Sequence, residues 1–261
     1  MNQNLIIRPE TVKDYYDAEM LARDSAIGYY DEPDSHLYVH KTRLHPAFVT
    51  ELSYVAEADD KIVGMIMYTR SMIVTKDHTL ADTLCLQHLR VPPKSQCGGI
   101  GKALLNHTIP LAKQRGYRAI LFYGNPDYYP RFGFRPAFEF GIGGELNENF
   151  HCMPLYEGAL DGIRGGGYCE AEIQILQSEL EEFNSQFPPA DRSWVKPIDY
   201  LINRLNPAAA KSIASLNLKH LYQMCRQSQS KIADLPDIDD KAIETIRRVM
   251  NECNYGWGKE S

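Results

Sequence analysis

A glycine-rich stretch, Val91-Pro92-Pro93-Lys94-Ser95-Gln96-Cys97-Gly98-Gly99-Ile100-Gly101-Lys102, constrains the fold of this chain more than any other. Apolar and polar residues alternate over 84–91 before it, which predicts a strand. Apolar residues recur at helical spacing over 100–112 after it, which predicts a helix. Small residues between a strand and a helix leave backbone N–H groups exposed at the positive end of the helix dipole. The stretch therefore predicts a cradle for a phosphate group.

Three phosphate-binding patterns compete for this stretch. A P-loop needs glycine at the position of Gln96 and a hydroxyl residue at that of Ala103, and a dinucleotide fingerprint needs a third glycine where Leu104 stands. The spacing that fits is Gln-x-x-Gly-x-Gly, with Gln96, Gly99 and Gly101 on the motif positions. It resembles the acetyl-CoA pyrophosphate loop of the GNAT N-acetyltransferases. A glycine-rich turn without a ligand is the alternative that this motif alone leaves open.

A second match lies downstream, in residues 120–134. Tyr129, Gly133 and Phe134 occupy the positions of the Tyr-x-x-x-Gly-Phe signature that closes the site in GNAT enzymes. One helix and one strand separate the two motifs, as in that superfamily. The resemblance covers roughly residues 4–195 and looks most like bacterial members that carry Gly-Asn-Pro-x-Tyr-Tyr-x-Arg-Phe-Gly-Phe. It implies an α/β (α+β) fold of the GNAT type, with a mixed central sheet of splayed strands flanked by helices.

The chain of 261 residues has room for one full domain and a small second one. We expect three parts: a GNAT acetyltransferase domain at 1–155, a family-specific extension and linker at 156–195, and a small all-α module at 196–261. Within the first part, the residue pattern over 52–68 predicts a hairpin of two strands. Gly64 in its second strand marks a bulge or a close approach of another part of the chain. Within the second, we expect a short helix near 157–163, a strand over 168–175 and a helix capped by Ser178.

The resemblance implies acetyl-CoA as the cofactor. In GNAT folds the loop binds the pyrophosphate, the end of the preceding strand pairs with the pantetheine arm, and the next strand ends where the two strands splay. The candidate cofactor-binding residues are therefore Leu89, Arg90, Val91, Gln96, Cys97, Gly98, Gly99, Ile100, Gly101, Lys102, Asn125 and Phe132.

Acetyl transfer needs a neutral amine, a polarised thioester and a proton for the departing thiolate. The phenol of Tyr129 has a suitable reference pKa of about 10, so Tyr129 is the candidate general acid. Tyr128 is its rival, because an error of one residue in the match would exchange them. Aromatic core packing is the structural alternative for this pair.

The general base has no clear candidate in the sequence. The positions where many GNAT enzymes carry Glu or His fall on Cys85 and Gln87. His88 is adjacent, but alternation along a strand points it to the opposite face unless a bulge redirects it. A base that acts through water, or no base at all, also remains open.

Residues 27–48 are rich in tyrosine, histidine and acidic residues. In GNAT enzymes the segment after the first helix usually walls the acceptor pocket, so Tyr30 and His36 are the substrate-pocket candidates. The alternative is that these are ordinary exposed side chains of a loop and a short helix.

The net charge of −6 is unevenly spread. From Lys196 onward there are ten basic and eight acidic residues, so the first 195 residues carry −8. An acidic catalytic domain favours a cationic acceptor such as an amine and disfavours nucleic acid. No apolar run has membrane-spanning length, the N-terminus does not resemble a signal peptide, and the six cysteines form no Cys-x-x-Cys pair. We therefore expect a cytoplasmic protein without a membrane partner or a bound metal.

Residues 235–246 resemble a helix-hairpin-helix and, more loosely, the C-terminal domain of the bacterial RNA polymerase alpha subunit. That motif normally carries glycines where Asp237 and Asp239 stand, and two aspartates repel DNA phosphate. The charge of +2 is also slight for a nucleic-acid surface. These features favour a helical module that packs on its neighbour, binds a protein or forms a homodimer.

The sequence thus predicts an acetyl-CoA-dependent N-acetyltransferase that acts on a primary amine of a small molecule, a peptide or a lysine-like group. The alternative is a non-catalytic acyl-CoA sensor or adaptor that contacts a protein partner through its C-terminal module. The missing carboxylate on the catalytic strand supports the alternative, whereas Tyr129 and the intact loop support the enzyme. A DNA-associated acetyltransferase guided by the tail is a third and weaker hypothesis.

Overall fold

The chain is described here by a computed structural model, which covers residues 5–27, 34–96, 98–143, 146–253, 255 and 257. Within this part the strands are β1 (Ile6–Pro9), β2 (Tyr54–Ala58), β3 (Lys61–Val74), β4 (Leu80–Arg90), β5 (Ala119–Tyr123), β6 (Arg135–Pro136), β7 (Phe150–Pro154) and β8 (Gly167–Cys169). The α-helices are α1 (Tyr15–Ala26), α2 (Ser35–Leu44), α3 (Ile100–Gln114), α4 (Gln177–Asn184), α5 (Asp199–Ile202), α6 (Pro207–Ala214), α7 (Gln229–Ala233) and α8 (Asp240–Glu252).

The strands form one sheet in the order β1-β2-β3-β4-β5-β7-β6, and β8 pairs with the far end of β3. All neighbours are antiparallel except β4 and β5, which are parallel. The predicted mixed sheet flanked by helices is therefore confirmed. None of the helices in the described ranges is both long enough and apolar enough to cross a membrane.

The parallel strands β4 and β5 part almost as soon as they meet. They pair only at Leu84 with Ile120 and at Cys85 with Leu121. Both strands continue beyond this point, β4 as far as Arg90 and β5 as far as Tyr123. A wedge therefore opens between them, and we call the pair Cys85 and Leu121 the vertex of the splay.

A bulge in β4 lies next to the vertex. Tyr68 of β3 pairs with Leu86, whereas the adjacent Met67 pairs with His88. Gln87 is thus an extra residue on β4, and the bulge breaks the alternation of side chains there. As a consequence Gln87 and His88 both point away from the face that carries Leu86.

The two faces of the sheet carry different cores. Helix α3 covers one face, where its Leu104 and Leu105 share a buried core with Leu84 and Leu86 of β4. Helices α1 and α2 cover part of the other face, where the buried residues are Ala18, Leu21, Ala22, Val39, Val55, Met65 and Met67. A further apolar cluster on this second face contains Ile73, Ala81, Ala119, Leu121, Ala137, Ile142, Phe150, Cys152 and Ile163.

Residues 156–195 pack against the sheet and α2, and the structure corrects three expectations there. Residues 157–163 form consecutive turns and no helix, and β8 stops at Cys169 instead of continuing to 175. Helix α4 has Leu176 as its N-cap in place of Ser178. The helix packs on α2 through a small apolar cluster, whose buried residues are Leu37, Leu180, Phe183 and Phe187.

The residues beyond 193 have a buried core of their own, which draws on Ile198, Leu201, Ile213, Leu221, Tyr222, Met224, Cys225, Ile232, Ile246, Val249, Met250, Tyr255 and Trp257. The two helices expected before and after residues 235–239 are present as α7 and α8. Asp237 between them adopts a φ of +60°, the left-handed conformation that favours glycine. Asp239 caps α8, since its Oδ1 accepts a hydrogen bond from the Ala242 N–H at 2.7 Å.

Gly64 sets how closely α3 approaches the sheet. A Cβ atom at this position would lie 2.6 Å from Ile100 Cγ2 and 3.2 Å from Leu104 Cδ1. The β2–β3 register also shifts here, because Ala56 pairs with Gly64 while Glu57 pairs with Ile62. The expected close approach therefore occurs at Gly64, and the expected bulge lies beside it, at Val63.

Gly64→Ala should lower the free energy of unfolding by about 1–3 kcal/mol, because the added methyl group overpacks the contact between β3 and α3. Urea denaturation followed by circular dichroism measures this change. Gly167→Ala is the matched control, because the nearest atom to its added Cβ is 3.9 Å away and its stability should stay within about 0.5 kcal/mol of wild type. Equal stabilities of the two variants would contradict the close approach.

Candidate active site

The open edge of β4 forms one wall of the candidate site. Beyond the vertex, in the described part of the chain, no strand pairs with the side of β4 that faces β5. The predicted residues Leu89, Arg90 and Val91 lie along this stretch and are half-buried. Unpaired backbone groups on a strand edge are ready to pair with another extended chain. An extended ligand can therefore bind here as an additional strand.

The glycine loop follows directly after this edge. A 3₁₀ turn, Pro93–Ser95, leads to Gln96, whose side-chain Nε2 donates a hydrogen bond to the Val91 carbonyl oxygen at 3.0 Å. The Gln96 side chain thus braces the loop against the end of β4. Of the other predicted loop residues, Cys97 lies outside the described residues.

Helix α3 begins at this loop with an open N-terminus. Gly99 is the N-cap with a φ of +83°, and a Cβ built on it would meet no atom within 4 Å. The first turn contains the buried Ile100 and Gly101 and the exposed Lys102, and it carries no acidic residue. Gly98 is exposed and lies beside Ser95. The partial positive charge of the helix start is therefore available to an anion.

The two adjacent tyrosines, Tyr128 and Tyr129, lie in different surroundings. A Cβ at Gly101 would lie 2.7 Å from the Tyr128 hydroxyl, so Tyr128 sits against the first turn of α3. The Tyr129 ring instead packs edge-on against Phe122 at the end of β5, with ring centroids 4.4 Å apart. Burial, with a smaller contribution from the Tyr129 phenol, raises the pKa of Tyr68 on β3. Tyr129 thus lies on the α3 side of the splay, and Tyr128 lies beside the loop.

Asn125 and Phe132 lie close to these tyrosines. The Asn125 side-chain oxygen accepts a hydrogen bond from the Asp127 N–H at 2.9 Å, which leaves its NH₂ group as the donor of that side chain. The Phe132 ring lies 5.3 Å from the Tyr128 ring. Both residues border the same wedge between β4 and β5.

On the opposite face, a group of polar side chains converges on the vertex. We call this group the vertex cluster, and it consists of Tyr38, Thr69, Cys85, Gln87, Tyr168 and Glu170. The Cys85 thiol and the Tyr168 hydroxyl donate hydrogen bonds to Glu170 Oε2, at 3.0 Å and 3.2 Å. The Gln87 amide donates to Thr69 Oγ1 at 3.1 Å. Its oxygen accepts a hydrogen bond from the Tyr38 hydroxyl, also at 3.1 Å.

Burial keeps the donors of the vertex cluster protonated. Burial, and then the charge of Glu170, raise the pKa of the Cys85 thiol well above its usual value. Burial also raises the pKa of Tyr168 strongly, and the neighbouring Cys85 and Glu170 add to this effect. The pKa of Tyr38 rises to about 12, again chiefly through burial. At neutral pH these groups therefore donate hydrogen bonds and do not compete with the carboxylate as bases.

His88 is enclosed. Its side chain is 1% exposed, its Nε2 lies 3.0 Å from Thr42 Oγ1, and its ring lies 5.0 Å from the Tyr38 ring. Burial and the neighbouring Arg90 and Arg43 charges lower its pKa well below the usual value. The bulge does redirect His88, but it turns the ring into the interface with α2 and away from the wedge.

Of the two predicted substrate residues, the structure describes only His36, and it does not place His36 at the vertex. Tyr30 lies outside the described residues. His36 is fully buried between α2 and α4, and its Nε2 lies 2.7 Å from Asn184 Oδ1. Burial lowers its pKa. Tyr38, two residues further along α2, faces the sheet instead, since residues two apart point to nearly opposite sides of a helix.

Four members of the vertex cluster, Tyr38, Thr69, Tyr168 and Glu170, were not predicted from the sequence. Tyr38 belongs to the segment that is expected to wall the pocket, but the buried residues of α2 lie on several sides of the helix, so the sequence does not single out Tyr38. Tyr168 and Glu170 are more than 80 residues from Cys85, and no local pattern connects them.

No group of three or more potential metal ligands converges anywhere in the described ranges.

Comparisons with known proteins agree with this geometry. The family model of the acetyltransferase (GNAT) domain matches residues 50–136, which include the open edge, the loop and both tyrosines. Among the matching solved structures is YhbS from Escherichia coli, a GNAT family N-acetyltransferase in complex with CoA, with 24% identity, a TM-score of 0.55, and coverage of 64% of this chain and 90% of that one.

A second matching structure is a GNAT family acetyltransferase from Brucella melitensis in complex with acetyl-CoA. It shares 22% identity and a TM-score of 0.51, and the match covers 64% of this chain and 96% of that one. At these identities the likeness shows a shared fold. A comparison with curated protein sequences finds no match.

Proposed function

We propose that the chain, whose residues 50–136 match the model of the acetyltransferase (GNAT) domain, is an acetyl-CoA-dependent N-acetyltransferase of the GNAT superfamily. The observation that carries this proposal is the open edge of β4, which leads through the glycine loop to a helix N-terminus without a side-chain cap. An extended pantetheine arm would pair with the edge, and the pyrophosphate would bind at the N–H groups of the loop. The thioester would then lie in the wedge beside the vertex.

The proposed chemistry is a direct attack of the acceptor on the thioester. The lone pair of a neutral amine forms the new C–N bond, the C–S bond breaks, and CoA leaves as a thiol. Tyr129 supplies the proton to the leaving sulfur, because its ring packs against Phe122 near the end of β5, on the α3 side of the wedge. Tyr129 recovers its proton from the acetylated nitrogen, directly or through water.

The acceptor we propose is a primary amine of a small molecule, a peptide or a lysine-like group. The first 195 residues carry −8, and the vertex cluster presents a carboxylate on the face opposite α3. Both features favour a cation on that face. The acceptor would thus approach from the side of α2, while the cofactor enters from the side of α3.

A specific observation supports the second candidate function, a sensor or adaptor. The residues beyond 193 contact the segment after β5 and the turn before the glycine loop, which border the proposed cofactor site on two sides. Lys231 Nζ lies 3.3 Å from Asp127 Oδ2 after β5, and Lys94 Nζ lies 6.0 Å from the Trp194 ring beside the glycine loop. Through these contacts the C-terminal module would respond to cofactor binding and present that response to a protein partner or a second copy of the chain.

A thiol-release assay with acetyl-CoA over a panel of primary amines separates the two candidates. The enzyme should release CoA with at least one class of amine. Tight binding of acetyl-CoA without release from any amine would support the sensor. If acetyl-CoA does not bind at all, neither proposal stands.

Gly99→Glu should weaken acetyl-CoA binding by about 100-fold or more, because its carboxylate would face the pyrophosphate. Calorimetric titration with acetyl-CoA measures the affinity. Gly116→Glu is a matched control at the other end of α3, because Gly116 has the same φ of +83° and equally open surroundings. Both variants should lose about 1–2 kcal/mol of stability from the left-handed backbone, but only the first should lose affinity. Unchanged affinity in Gly99→Glu would contradict the assigned pyrophosphate site.

Tyr129→Phe should lower kcat by about 100-fold and leave the Kd of acetyl-CoA unchanged, because it removes only the proton donor. Steady-state thiol release and calorimetry provide the two values. Tyr128→Phe serves as the neighbouring control and should retain the wild-type kcat. If the two variants show the opposite pattern, the acid role passes to Tyr128.

A further inference from the structure

Strand β4, which borders the wedge, carries no carboxylate from the vertex to its end at Arg90. Cys85 stands at the vertex, Gln87 is held by Tyr38 and Thr69, and His88 is enclosed. The fold nevertheless brings a carboxylate to the vertex from a distant part of the chain. Glu170, which immediately follows β8, accepts a hydrogen bond from the Cys85 thiol at 3.0 Å.

We propose that Glu170 is the general base of the transfer reaction and the group that binds the ammonium form of the acceptor amine. This inference deepens the proposed N-acetyltransferase function and rests on it. Cys85 is the last residue of β4 that pairs with β5, so Glu170 lies where the wedge begins. The carboxylate therefore stands beside the thioester position, on the face opposite Tyr129.

The segments before and after Glu170 both pack against the rest of the fold, which fixes the position of this residue. Tyr168 and Cys169 pair with Ile73 and Met72 at the edge of β3, which fixes the register of β8. After Glu170 the chain crosses to α4, which packs on α2. Glu170 thus belongs to a segment that bridges β3 and α2 across the front of the vertex.

Two donors orient the carboxylate and leave part of it open. The Cys85 thiol and the Tyr168 hydroxyl both donate to the same oxygen, Oε2, at 3.0 Å and 3.2 Å. Both donors stay protonated because burial raises their pKa values. The side chain of Glu170 remains exposed, so its other oxygen, Oε1, can reach an acceptor that enters from solvent.

Two protons leave the acceptor nitrogen in the proposed reaction. Glu170 takes one proton from R–NH₃⁺, which gives R–NH₂ and the protonated carboxyl group. The amine attacks the thioester carbonyl, the C–N bond forms and the C–S bond breaks. The second N–H proton reaches the sulfur through Tyr129, and Glu170 releases its proton to solvent. The products are the acetylated amine, CoA thiol and one proton.

This assignment also narrows the acceptor class. A carboxylate at the vertex selects an amine that is protonated in solution, such as an alkyl ammonium group, over an uncharged aromatic amine or a hydroxyl group. The vertex cluster adds only hydrogen-bond donors and acceptors around it, so recognition rests on the charge and on the N–H donors of the ammonium group.

The test compares Glu170→Gln with Glu172→Gln and Glu170→Asp in the full-length protein. Glutamine keeps an acceptor for Cys85 and Tyr168 but cannot take up a proton. Glu172 is exposed two residues further on and contacts Gln174, so its variant controls for lost charge on the same segment. The measured quantities are kcat and KM for an alkyl primary amine, the Kd of acetyl-CoA, and the thermal midpoint.

We expect Glu170→Gln to lower kcat/KM for the amine by about 100-fold or more, with an unchanged Kd for acetyl-CoA and an unchanged thermal midpoint. Glu170→Asp should recover part of kcat, and Glu172→Gln should match wild type. Wild-type turnover by Glu170→Gln would overturn this inference alone. Equal losses in Glu170→Gln and Glu172→Gln would also overturn it. No release of CoA by the wild-type protein with any amine would overturn the proposed function and this inference together.

Discussion

The two-residue pairing of β4 with β5 is the constraint on which the rest of the site depends. A longer ladder would close the wedge, and the cofactor could not then add to the β4 edge. Without the bulge, alternation along β4 would place Gln87 and His88 on opposite faces of the sheet. Because Gln87 is an extra residue, both side chains lie on the face covered by α2. The sheet is therefore continuous up to Cys85 and divided beyond it.

The division gives the two faces of the sheet different roles. On one face α3 packs closely over Gly64, and its open N-terminus faces the end of β4. On the other face α2 and the segment after β8 bring Tyr38 and Glu170 to the vertex. In the proposed reaction the cofactor and the acid occupy the first face, and the acceptor and the base occupy the second. The thioester is the only group that both faces share.

Sequence reasoning predicted the features that depend on neighbours in the chain. The glycine loop, α3 and the β2–β3 hairpin follow from local spacing, so their positions were predicted correctly. Glu170 could not be predicted, because its distance to Cys85 depends on the register of β8 against β3. His36 was chosen over Tyr38 because composition shows that a segment is polar and aromatic but not which side of α2 faces the sheet. The short helix expected near 157–163 forms turns instead. Gly158 and Gly162 within this segment, and Gly165 just after it, have positive φ values, which a right-handed helix does not allow.

The most direct test of this account is amide hydrogen exchange of the whole protein with and without acetyl-CoA. If the arm of the cofactor pairs with the open edge, protection should increase in the segment from Leu86 to Val91 and in the loop from Gly98 to Gly101. The paired part of β4 before Cys85 should change little, because its backbone is already hydrogen-bonded. Increased protection confined to other segments, or none at all under saturating acetyl-CoA, would contradict the claim that the splay is the cofactor site.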